Sequence, residues 1–237
     1  MSKRAVILAG GQGTRLRPYT VVLPKPLMPL GEHPILEVIV KQLASHGFDR
    51  ITMTVNRQAE IIKAFFNDGS KWNVEIDYSL EDKPLGTMGP LNLIKDLPEK
   101  FLVMNGDILT DLDYADFYDS HDAGRNVFTI SSHIREHRVD YGVLQVNELR
   151  QLCGFQEKPV SHYEVSMGIY MVSRKVLDYI PANNPYGFDN LMLDLVMHGQ
   201  PVAVKRYEGY WRDIGSPDDY AQAIDEFDRM KTRFLGG

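Results

Sequence analysis

A glycine-rich segment near the start of the chain has the residue types that bind phosphate groups. It follows a short apolar run and contains three glycines and two cations: Gly10, Gly11, Gly13, Arg15 and Lys25. Glycine lets the backbone adopt positive φ and lets a phosphate approach the main chain closely. Successive backbone N–H groups can then hold an anion in one concavity. The pattern predicts a phosphate-binding loop; the alternative is a tight turn beside two solvated cations.

This segment differs from two familiar phosphate-binding motifs. No Gly-Lys-Ser/Thr follows the glycines, as a P-loop requires. The dinucleotide fingerprint requires a glycine where Leu16 stands. We therefore expect another kind of anion-binding loop, in which Lys25, placed between two prolines, is a loop residue outside the core.

Two aspartates that are far apart in the sequence are candidates for binding a metal ion. Asp107 ends an Asn-Gly-Asp segment after an apolar run, and Asp213 lies in Trp-Arg-Asp-Ile-Gly. Mg²⁺ is usually bound by one or two carboxylates together with substrate phosphates and water. The two aspartates meet this need if both loops reach one cleft; otherwise each is an ordinary turn or cap residue.

Two glutamates could contact other parts of a nucleotide or a sugar. Glu81, in a polar loop, could accept both N–H groups of the guanine edge, a pair that no other common base presents. Glu157 could accept hydrogen bonds from sugar hydroxyls, and Lys158 could bind a sugar phosphate as a point charge. The alternative for the Glu81 loop is a plain connection, and an isolated Glu-Lys-Pro is more typical of an exposed charge pair at a turn.

The elements that must position these residues alternate in the first half of the chain. We predict strands at 6–8, 51–55, 74–78 and 101–104, helices at 35–46 and 59–66, and a helix beginning near Pro90. Strands that alternate with helices imply right-handed βαβ units and a mostly parallel sheet. Ligands bind beyond the carboxyl ends of such strands, where the glycine-rich loop and Asp107 both fall.

The second half has more strands. We predict strands at 127–132, 142–146, 152–156, 165–172 and 202–206, a hairpin turn at Asn147-Glu148, and helices at 189–198 and after Ser216. The prediction is one α/β domain with a substrate-binding lobe inserted after about residue 125.

Composition narrows the class of protein. The net charge of −6 argues against a nucleic-acid-binding surface. No apolar run is long enough for a signal sequence or a membrane span. The single cysteine, Cys153, excludes an internal disulfide and is expected to be a small core residue. We expect a cytoplasmic protein without a membrane or nucleic-acid partner.

The order of motifs along nearly the whole chain resembles that of the sugar-1-phosphate nucleotidylyltransferases. The motifs are LAGGQGTRLRP at 8–18, LPKP at 23–26, PLGT at 84–87, VMNGDIL at 103–109, YGV at 141–143, EKP at 157–159, MGIY at 167–170 and YWRDIG at 210–215. The chain is most similar to the guanylyltransferases of mannose, glucosamine or heptose 1-phosphate.

The resemblance implies an enzyme and a fold. The enzyme would transfer a nucleoside monophosphate from an NTP, with GTP favoured, to a sugar 1-phosphate by in-line displacement with Mg²⁺. The fold would be a Rossmann-like, GT-A-like mixed sheet flanked by helices, with a small sugar-binding lobe. A single domain, 1–237, would comprise a nucleotide-binding part at about 1–125 and a sugar-phosphate-binding part at about 126–237, without a C-terminal β-helix and possibly as a homodimer.

The resemblance also assigns roles to residues. The nucleotide would contact Leu8, Ala9, Gly10, Gly11, Gly13, Thr14, Arg15, Lys25, Glu81, Gly86, Thr87, Asn105 and Gly106. The sugar phosphate would contact Tyr141, Gly142, Glu157, Lys158, Ser166 and Gly168. Asp107 and Asp213 would hold Mg²⁺, and the catalytic residues would be Arg15, Lys25 and Asp107.

Two positions depart from the family pattern, and three other functions stay open. Ser166 stands where an asparagine is usual, which alters the expected sugar contact, and Met88 replaces an alanine beside the base pocket. The alternatives are the same reaction with UTP, dTTP or CTP, a catalytically silent nucleotide-sugar sensor, and a small-alcohol cytidylyltransferase. A sensor would be expected to lose Arg15, Lys25 or the metal positions, all of which are present.

Overall fold

A seven-stranded mixed sheet forms the centre of the computed structural model, which describes residues 2–11, 13–56 and 58–236. The strands are β1 (Lys3–Leu8), β2 (Pro29–Leu30), β3 (His33–Pro34), β4 (Phe48–Val55), β5 (Glu75–Leu80), β6 (Lys100–Asn105), β7 (Ile108–Thr110), β8 (Phe128–Arg138), β9 (Val143–Val146), β10 (Leu152–Gln156), β11 (Val160–Ser173), β12 (Val202–Arg206) and β13 (Trp211–Asp213). The α-helices are α1 (Ile35–Ser45), α2 (Ala59–Phe66), α3 (Tyr114–Asp119), α4 (Phe188–Met197) and α5 (Pro217–Leu235).

The central sheet has the order β12-β8-β11-β6-β1-β4-β5. β1 pairs in parallel with β4 and β6, β4 with β5, and β8 with β12. β11 alone is reversed, since it pairs antiparallel with both β6 and β8. The predicted mostly parallel α/β sheet is therefore confirmed. The parallel strands β4 and β5 lie on one side of β1, and the next strand in the chain, β6, lies on its other side. Such a reversal of strand order creates a ligand-binding crevice at the carboxyl end of β1.

Two apolar layers bury the central strands on both faces. On β1, Ile7 belongs to the layer beneath α1 and α5, whereas Val6 belongs to the layer that includes α4. Side chains that alternate along a strand point to opposite faces, so a strand covered on both sides is apolar without interruption. This explains why β1 and β6 could be identified as short, continuous apolar runs.

Several elements differ from the predicted ones. Pro90 lies in a 3₁₀ turn, Gly89–Leu93, and not in an α-helix. The short α3 was not predicted; the Asp113 side chain caps it by accepting the Asp116 N–H. β8 and β11 extend beyond the predicted ranges as an antiparallel ribbon in which Arg138 pairs with Val160. This ribbon is polar, so its residues lack the apolar pattern on which the prediction relied.

The β9–β10 hairpin stands apart from the central sheet. It confirms the predicted turn near Asn147, but both strands are largely exposed. Cys153 lies on β10 and is exposed, so the prediction that it is a core residue was wrong. The physical reason is that a two-stranded hairpin without a covering layer has no core. Within the described ranges, the helices lack the combination of length and apolar character that a membrane span requires.

Candidate functional site

The glycine-rich loop leaves the carboxyl end of β1 and is held by its neighbours. The Ala9 N–H donates to the Thr54 carbonyl at 3.0 Å, which continues the sheet by one residue. A Cβ on Gly10 would lie 2.8 Å from Glu81 Oε1, so a side chain cannot be placed there without moving that carboxylate. Gly13 has φ of +59°, and its carbonyl accepts a hydrogen bond of 2.6 Å from the Thr20 hydroxyl. The loop therefore needs glycine for both closeness and backbone conformation.

Lys25 reaches Asp107 across 82 positions of sequence. The Lys25 ammonium donates to Asp107 Oδ2 and forms an ion pair with it. Lys25 is only 9% exposed, so the expectation that it lies outside the core was wrong. The short 3₁₀ turn Lys25–Leu27 packs the lysine stem inward and leaves its charged end at the carboxylate.

Strand pairing brings the two aspartates together. β13 pairs antiparallel with β7, which follows Asp107 directly, and the Ile214 N–H donates to the Asp107 carbonyl at 3.1 Å. Burial first, and then the charge of Asp107, raises the pKa of the Asp213 carboxyl; Lys25 and Arg15 oppose this shift. The Arg15 guanidinium lies beside Gly215, two residues after Asp213. The predicted catalytic and metal residues thus form one cluster.

The aspartate pair has the character of a cation site. Asp107 Oδ1 is buried and accepts no hydrogen bond from the described residues. A buried acceptor without a partner is costly, and burial beside Asp107 disfavours the charged form of Asp213 and raises its pKa. The described residues contain no group of three or more His, Cys, Asp or Glu side chains that could enclose a metal. Two carboxylates with remaining positions for phosphate oxygens and water suit Mg²⁺.

A cleft of about 350 Å³ opens between the glycine-rich loop and the Glu81 loop. Its lining residues are Leu8, Gly10, Gly11, Thr54, Asn56, Glu81, Pro84, Gly86, Thr87, Asn105 and Asp107. Seven predicted nucleotide contacts are among them: Leu8, Gly10, Gly11, Glu81, Gly86, Thr87 and Asn105. Ala9 and Gly106 are hydrogen-bonded to lining residues without lining the cleft themselves, and Gly13 and Thr14 do not line it.

Sequence reasoning missed three residues of this cleft, Thr54, Asn56 and Pro84. Thr54 and Asn56 lie at the carboxyl end of β4, the strand beside β1, so the strand-end rule would have found them. The Asn56 side-chain amide donates to the Gly10 carbonyl and ties the two strand ends together.

Glu81 is held in place at the cleft. Its Oε2 accepts the Leu85 N–H at 3.1 Å, while Oε1 faces Gly10. Burial raises the pKa of Glu81, and the Leu85 hydrogen bond partly offsets this. One oxygen is therefore fixed by the loop, and the carboxylate is presented to the cleft at a defined angle.

Segment 85–89 is anchored on the segment that precedes α4. The N–H groups of Met88 and Gly89 donate to the Tyr186 carbonyl at 3.0 and 3.1 Å. The Thr87 hydroxyl accepts the Phe188 N–H at 2.8 Å. Met88 is fully buried in the apolar layer beside α4 and does not line the cleft. Its departure from the family pattern therefore lies in the core and not in the lining of the cleft.

A second cavity, of about 330 Å³, lies on the other side of Asn105. It is lined by Asn105, Arg135, Val165, Ser166, Met167, Gly168, Tyr170, Phe188, Trp211 and Asp213. Ser166 donates to the Tyr170 hydroxyl at 3.1 Å and accepts the Gly168 N–H at 3.2 Å. Gly168, at φ of +74°, packs against the Asn105 side chain. Asn105 thus joins the two cavities, and Asp213 borders the second.

Arg135 is the one cation among the residues that line the second cavity. It lies on the extended part of β8, beyond the predicted strand, and sequence reasoning missed it. No motif surrounds it, so no signal in the sequence distinguishes it from the other charged residues of that ribbon.

The other four predicted sugar contacts lie elsewhere. Tyr141, Gly142, Glu157 and Lys158 are exposed at the base of the β9–β10 hairpin. They are close to one another, since a Cβ on Gly142 would lie 3.3 Å from Glu157 Oε2. None of the four lines either cavity in the described structure. The structure therefore brings Ser166 and Gly168 to Asp213 but leaves the hairpin residues apart.

Comparison with known proteins identifies the relatives of this chain. The nucleotidyl transferase family matches residues 4–229. The chain is 35% identical to a UTP–glucose-1-phosphate uridylyltransferase from Synechocystis sp., over 93% of this chain, and 36% identical to a mannose-1-phosphate guanyltransferase from Schizosaccharomyces pombe, over 92%. It spans 62% of the length of each of these two relatives.

Solved structures agree with this relationship. The crystal structure of HddC from Yersinia pseudotuberculosis superposes with a TM-score of 0.73 at 28% identity, covering 95% of this chain and 99% of that one. A second structure of that protein, complexed with GMP-PN, gives a TM-score of 0.71. From the match of the family along 4–229, we conclude that the chain belongs to the nucleotidyl transferase family.

Proposed function

We propose that this chain transfers a nucleoside monophosphate from an NTP to a sugar 1-phosphate and releases pyrophosphate. The observation that carries the proposal is the convergence of Arg15, Lys25, Asp107 and Asp213 where two cavities meet at Asn105. One cavity has the glycine-rich loop that suits a triphosphate, and the other has a single cation that suits a sugar phosphate. The relatives named for this chemistry support the same assignment.

The reaction would be a direct displacement at the α-phosphorus. An oxygen of the sugar 1-phosphate forms a bond to the α-phosphorus, while the bond from that phosphorus to the bridging oxygen of pyrophosphate breaks. The attacking phosphate is already anionic, so no general base is needed. The protein has to align two polyanions that repel each other and to stabilise the charge of the departing pyrophosphate. Arg15 and Lys25 would supply that stabilisation.

Asp107 and Asp213 would hold Mg²⁺. The unpartnered Asp107 Oδ1 and the raised pKa of Asp213 support this role, since a cation would compensate both. When bound, the ion would neutralise charge on the reacting phosphates. The ion pair with Lys25 would keep Asp107 oriented toward the cleft.

The sugar 1-phosphate would occupy the second cavity, with Arg135 near its phosphate and Ser166 and Gly168 beside the ring. We propose a nucleotide-binding part at about 1–125 and a sugar-phosphate-binding part at about 126–237. A role for Tyr141, Gly142, Glu157 and Lys158 in sugar binding requires the hairpin to close over this cavity, since none of them lines it.

GTP is the nucleotide that we favour. The relatives described above include both a guanylyl- and a uridylyltransferase, so the preference rests on Glu81. This carboxylate lies at the cleft and is held by Leu85. A fixed, partly buried acceptor favours the base that offers two adjacent N–H donors, because any other base leaves an acceptor unpaired.

The test is a panel of GTP, UTP, CTP and dTTP crossed with sugar 1-phosphates, with pyrophosphate release measured in Mg²⁺ and in EDTA. We expect release that depends on Mg²⁺ and a kcat/KM for GTP that exceeds the others by about 10- to 100-fold. A UTP or CTP preference would overturn the choice of base only. Nucleotide-dependent thermal stabilisation without pyrophosphate release from any pair would instead support a silent sensor.

A further inference from the structure

A third and larger cavity, of about 670 Å³, continues from the second one. It lies over β8, β11 and β12 where the first turns of α4 cover the sheet, and its lining residues are Ile130, Ser132, Glu164, Val165, Ser166, Phe188, Met192, Val204 and Arg206. Three of these, Val165, Ser166 and Phe188, also line the cavity that contains Asp213. The two cavities therefore meet at Ser166.

Strand register explains why these side chains share one face. Ile130 on β8 is opposite Val204 on β12, and Ser132 is opposite Arg206. Ser132 is also opposite Ser166 on β11. Residues in register across a sheet point to the same side, so the floor of the cavity is continuous from the edge strand β12 to Ser166.

The charges in this cavity neutralise each other. Glu164 accepts hydrogen bonds from Ser132 at 2.7 Å and from Arg206 at 2.8 and 3.2 Å. These bonds, with that of Arg206 the strongest, lower the pKa of Glu164 to about 2. The carboxylate is thus ionised and paired at neutral pH. The cation and the carboxylate of this cavity are paired with each other, so its lining offers no uncompensated charge to a phosphate or to a metal cation.

The remaining walls are apolar. Ile130, Val165, Phe188, Met192 and Val204 surround the space between Ser166 and the ion pair. The Ser166 hydroxyl is hydrogen-bonded to the Tyr170 hydroxyl and to the Gly168 N–H, so both partners of this small side chain lie on its own strand. A substituent on a sugar ring beside Asp213 would therefore enter the third cavity next to Ser166, which lines both cavities.

We propose that the sugar 1-phosphate used by this chain carries a neutral exocyclic substituent larger than a hydroxymethyl group, and that this substituent occupies the third cavity. The inference rests on the proposed function, because it takes the second cavity as the place of the sugar ring. Two kinds of sugar present such a group: an N-acylated hexosamine, whose methyl group would contact the apolar wall, and a heptose, whose additional hydroxylated carbon would reach Ser132.

The test compares three acceptors with the best nucleotide: a hexose 1-phosphate, an N-acetylhexosamine 1-phosphate and a heptose 1-phosphate. We expect kcat/KM to be at least about 10-fold higher for one of the two substituted sugars, since a filled apolar pocket discriminates on this scale. The preferred acceptor identifies the chemistry of the substituent.

The variant Val204→Trp tests where the substituent lies. Val204 is 58% exposed on the edge strand β12, so the sheet has room for a larger side chain, and an indole there would fill the cavity. We expect kcat/KM for the substituted sugar to fall about 10-fold or more, with that for the plain hexose 1-phosphate changing less than about 2-fold. Leu193→Trp is the matched control, because Leu193 is 69% exposed on α4 and does not line the cavity.

The outcomes separate this inference from the proposed function. A wild-type preference for the plain hexose 1-phosphate, or an equal loss with all acceptors in Val204→Trp, would overturn the inference and leave the nucleotidyl transfer intact. If no acceptor gives pyrophosphate and calorimetry detects no sugar 1-phosphate binding, both are wrong. Thermal unfolding checks that Val204→Trp is folded; if it is not, Met192→Phe fills the same cavity from α4 and is measured in the same way.

Discussion

At the scale of single residues, the charged groups beyond β1 and β6 are coupled to one another. Lys25 pairs with Asp107, and Asp107 in turn raises the pKa of Asp213. Arg15 and Lys25 lower that same pKa. Replacing one member therefore changes the environment of the others, and the effects of two substitutions are not expected to add.

We first predict the coupling of Lys25 and Asp107. Lys25→Ala removes the ion-pair partner of the mostly buried Asp107 side chain, so it should lower the free energy of unfolding by on the order of 3 kcal/mol. Asp107→Asn should lower kcat by about 100-fold or more. In the Asp107→Asn background, the loss in the free energy of unfolding caused by Lys25→Ala should be smaller by at least about 1 kcal/mol than in the wild type. Urea unfolding in metal-free buffer measures the cycle; losses that simply add would mean that the ion pair is not stabilising.

The second prediction concerns the choice of base. Glu81→Gln replaces one acceptor oxygen by an amide donor, which cannot accept a hydrogen bond from the N1–H or N2–H group of guanine. The ratio of kcat/KM for GTP to that for UTP, expected at about 10- to 100-fold in the wild type, should narrow. Asp82→Asn removes an adjacent exposed carboxylate and should leave the ratio unchanged. An unchanged ratio in Glu81→Gln would show that backbone groups near Gly86 choose the base.

The third prediction separates the cation of the second cavity from that of the hairpin. Arg135→Ala should raise the KM for the sugar 1-phosphate by about 10-fold and leave that for the NTP nearly unchanged, because one charge-assisted contact to a phosphate is lost. Arg138→Ala is the control on the same strand, since Arg138 lines neither the cleft nor the second cavity. A larger effect of Lys158→Ala than of Arg135→Ala would instead assign the phosphate to the hairpin.

At the scale of elements, the contact between segment 85–89 and the start of α4 shapes the nucleotide cleft. Gly86 has φ of +77°, and a Cβ there would lie 2.7 Å from the Tyr186 carbonyl oxygen. The backbone of this segment is thus in close contact with the backbone that precedes α4. The position of Thr87 and the wall of the cleft depend on this approach.

We therefore predict that Gly86→Ala is more harmful than an alanine at another glycine with positive φ. Gly199 is the matched control, with φ of +63° and no atom near the Cβ position. Gly199→Ala should lower the free energy of unfolding by about 1–2 kcal/mol, because alanine disfavours the left-handed conformation. Gly86→Ala should cost on the order of 3 kcal/mol and should also raise the KM for the NTP. Equal losses in thermal or urea unfolding would contradict the close approach.

At the scale of the whole molecule, one buried histidine makes stability depend on pH. His121 is 3% exposed, and its ring nitrogens are hydrogen-bonded to the hydroxyls of Thr129, at 2.8 Å, and Ser173, at 3.1 Å. Burial, helped by the charge of Lys100, lowers the pKa of His121 to about 4. Between the ordinary histidine pKa of 6.5 and the lowered value of about 4, His121 is therefore protonated in the unfolded chain but neutral in the folded protein.

The stability of the wild type should thus fall as the pH drops from about 6.5 toward 4. Between pH 7 and pH 5, this one group accounts for a loss on the order of 2 kcal/mol in the free energy of unfolding. Glutamine is neutral at both pH values. The free energy of unfolding of His121→Gln should therefore fall by about 2 kcal/mol less than that of the wild type between pH 7 and pH 5. Urea titrations of both proteins at the two pH values check this; parallel losses would show that other groups cause the acid sensitivity.

The local pattern of residues was sufficient to predict much of the fold. β1 and β6 are apolar on both faces because helices cover both sides of the sheet, and such runs are visible without a structure. The glycine-rich loop and Asp107 were located because ligands bind at the carboxyl ends of parallel strands, a rule that needs only the order of elements. These features depend on neighbours in the chain or on the alternation of strands and helices.

Only the tertiary structure decided how the site is assembled. Asp213 reaches Asp107 through the pairing of β13 with β7, about a hundred residues apart, and Lys25 meets Asp107 across 82 positions of sequence. Arg135 lies at the second cavity because a polar ribbon extends β8 past the apolar pattern, whereas the hairpin with Cys153 lacks a covering layer. Such contacts leave no local signature, because the free energy of a buried charge depends on which distant groups surround it.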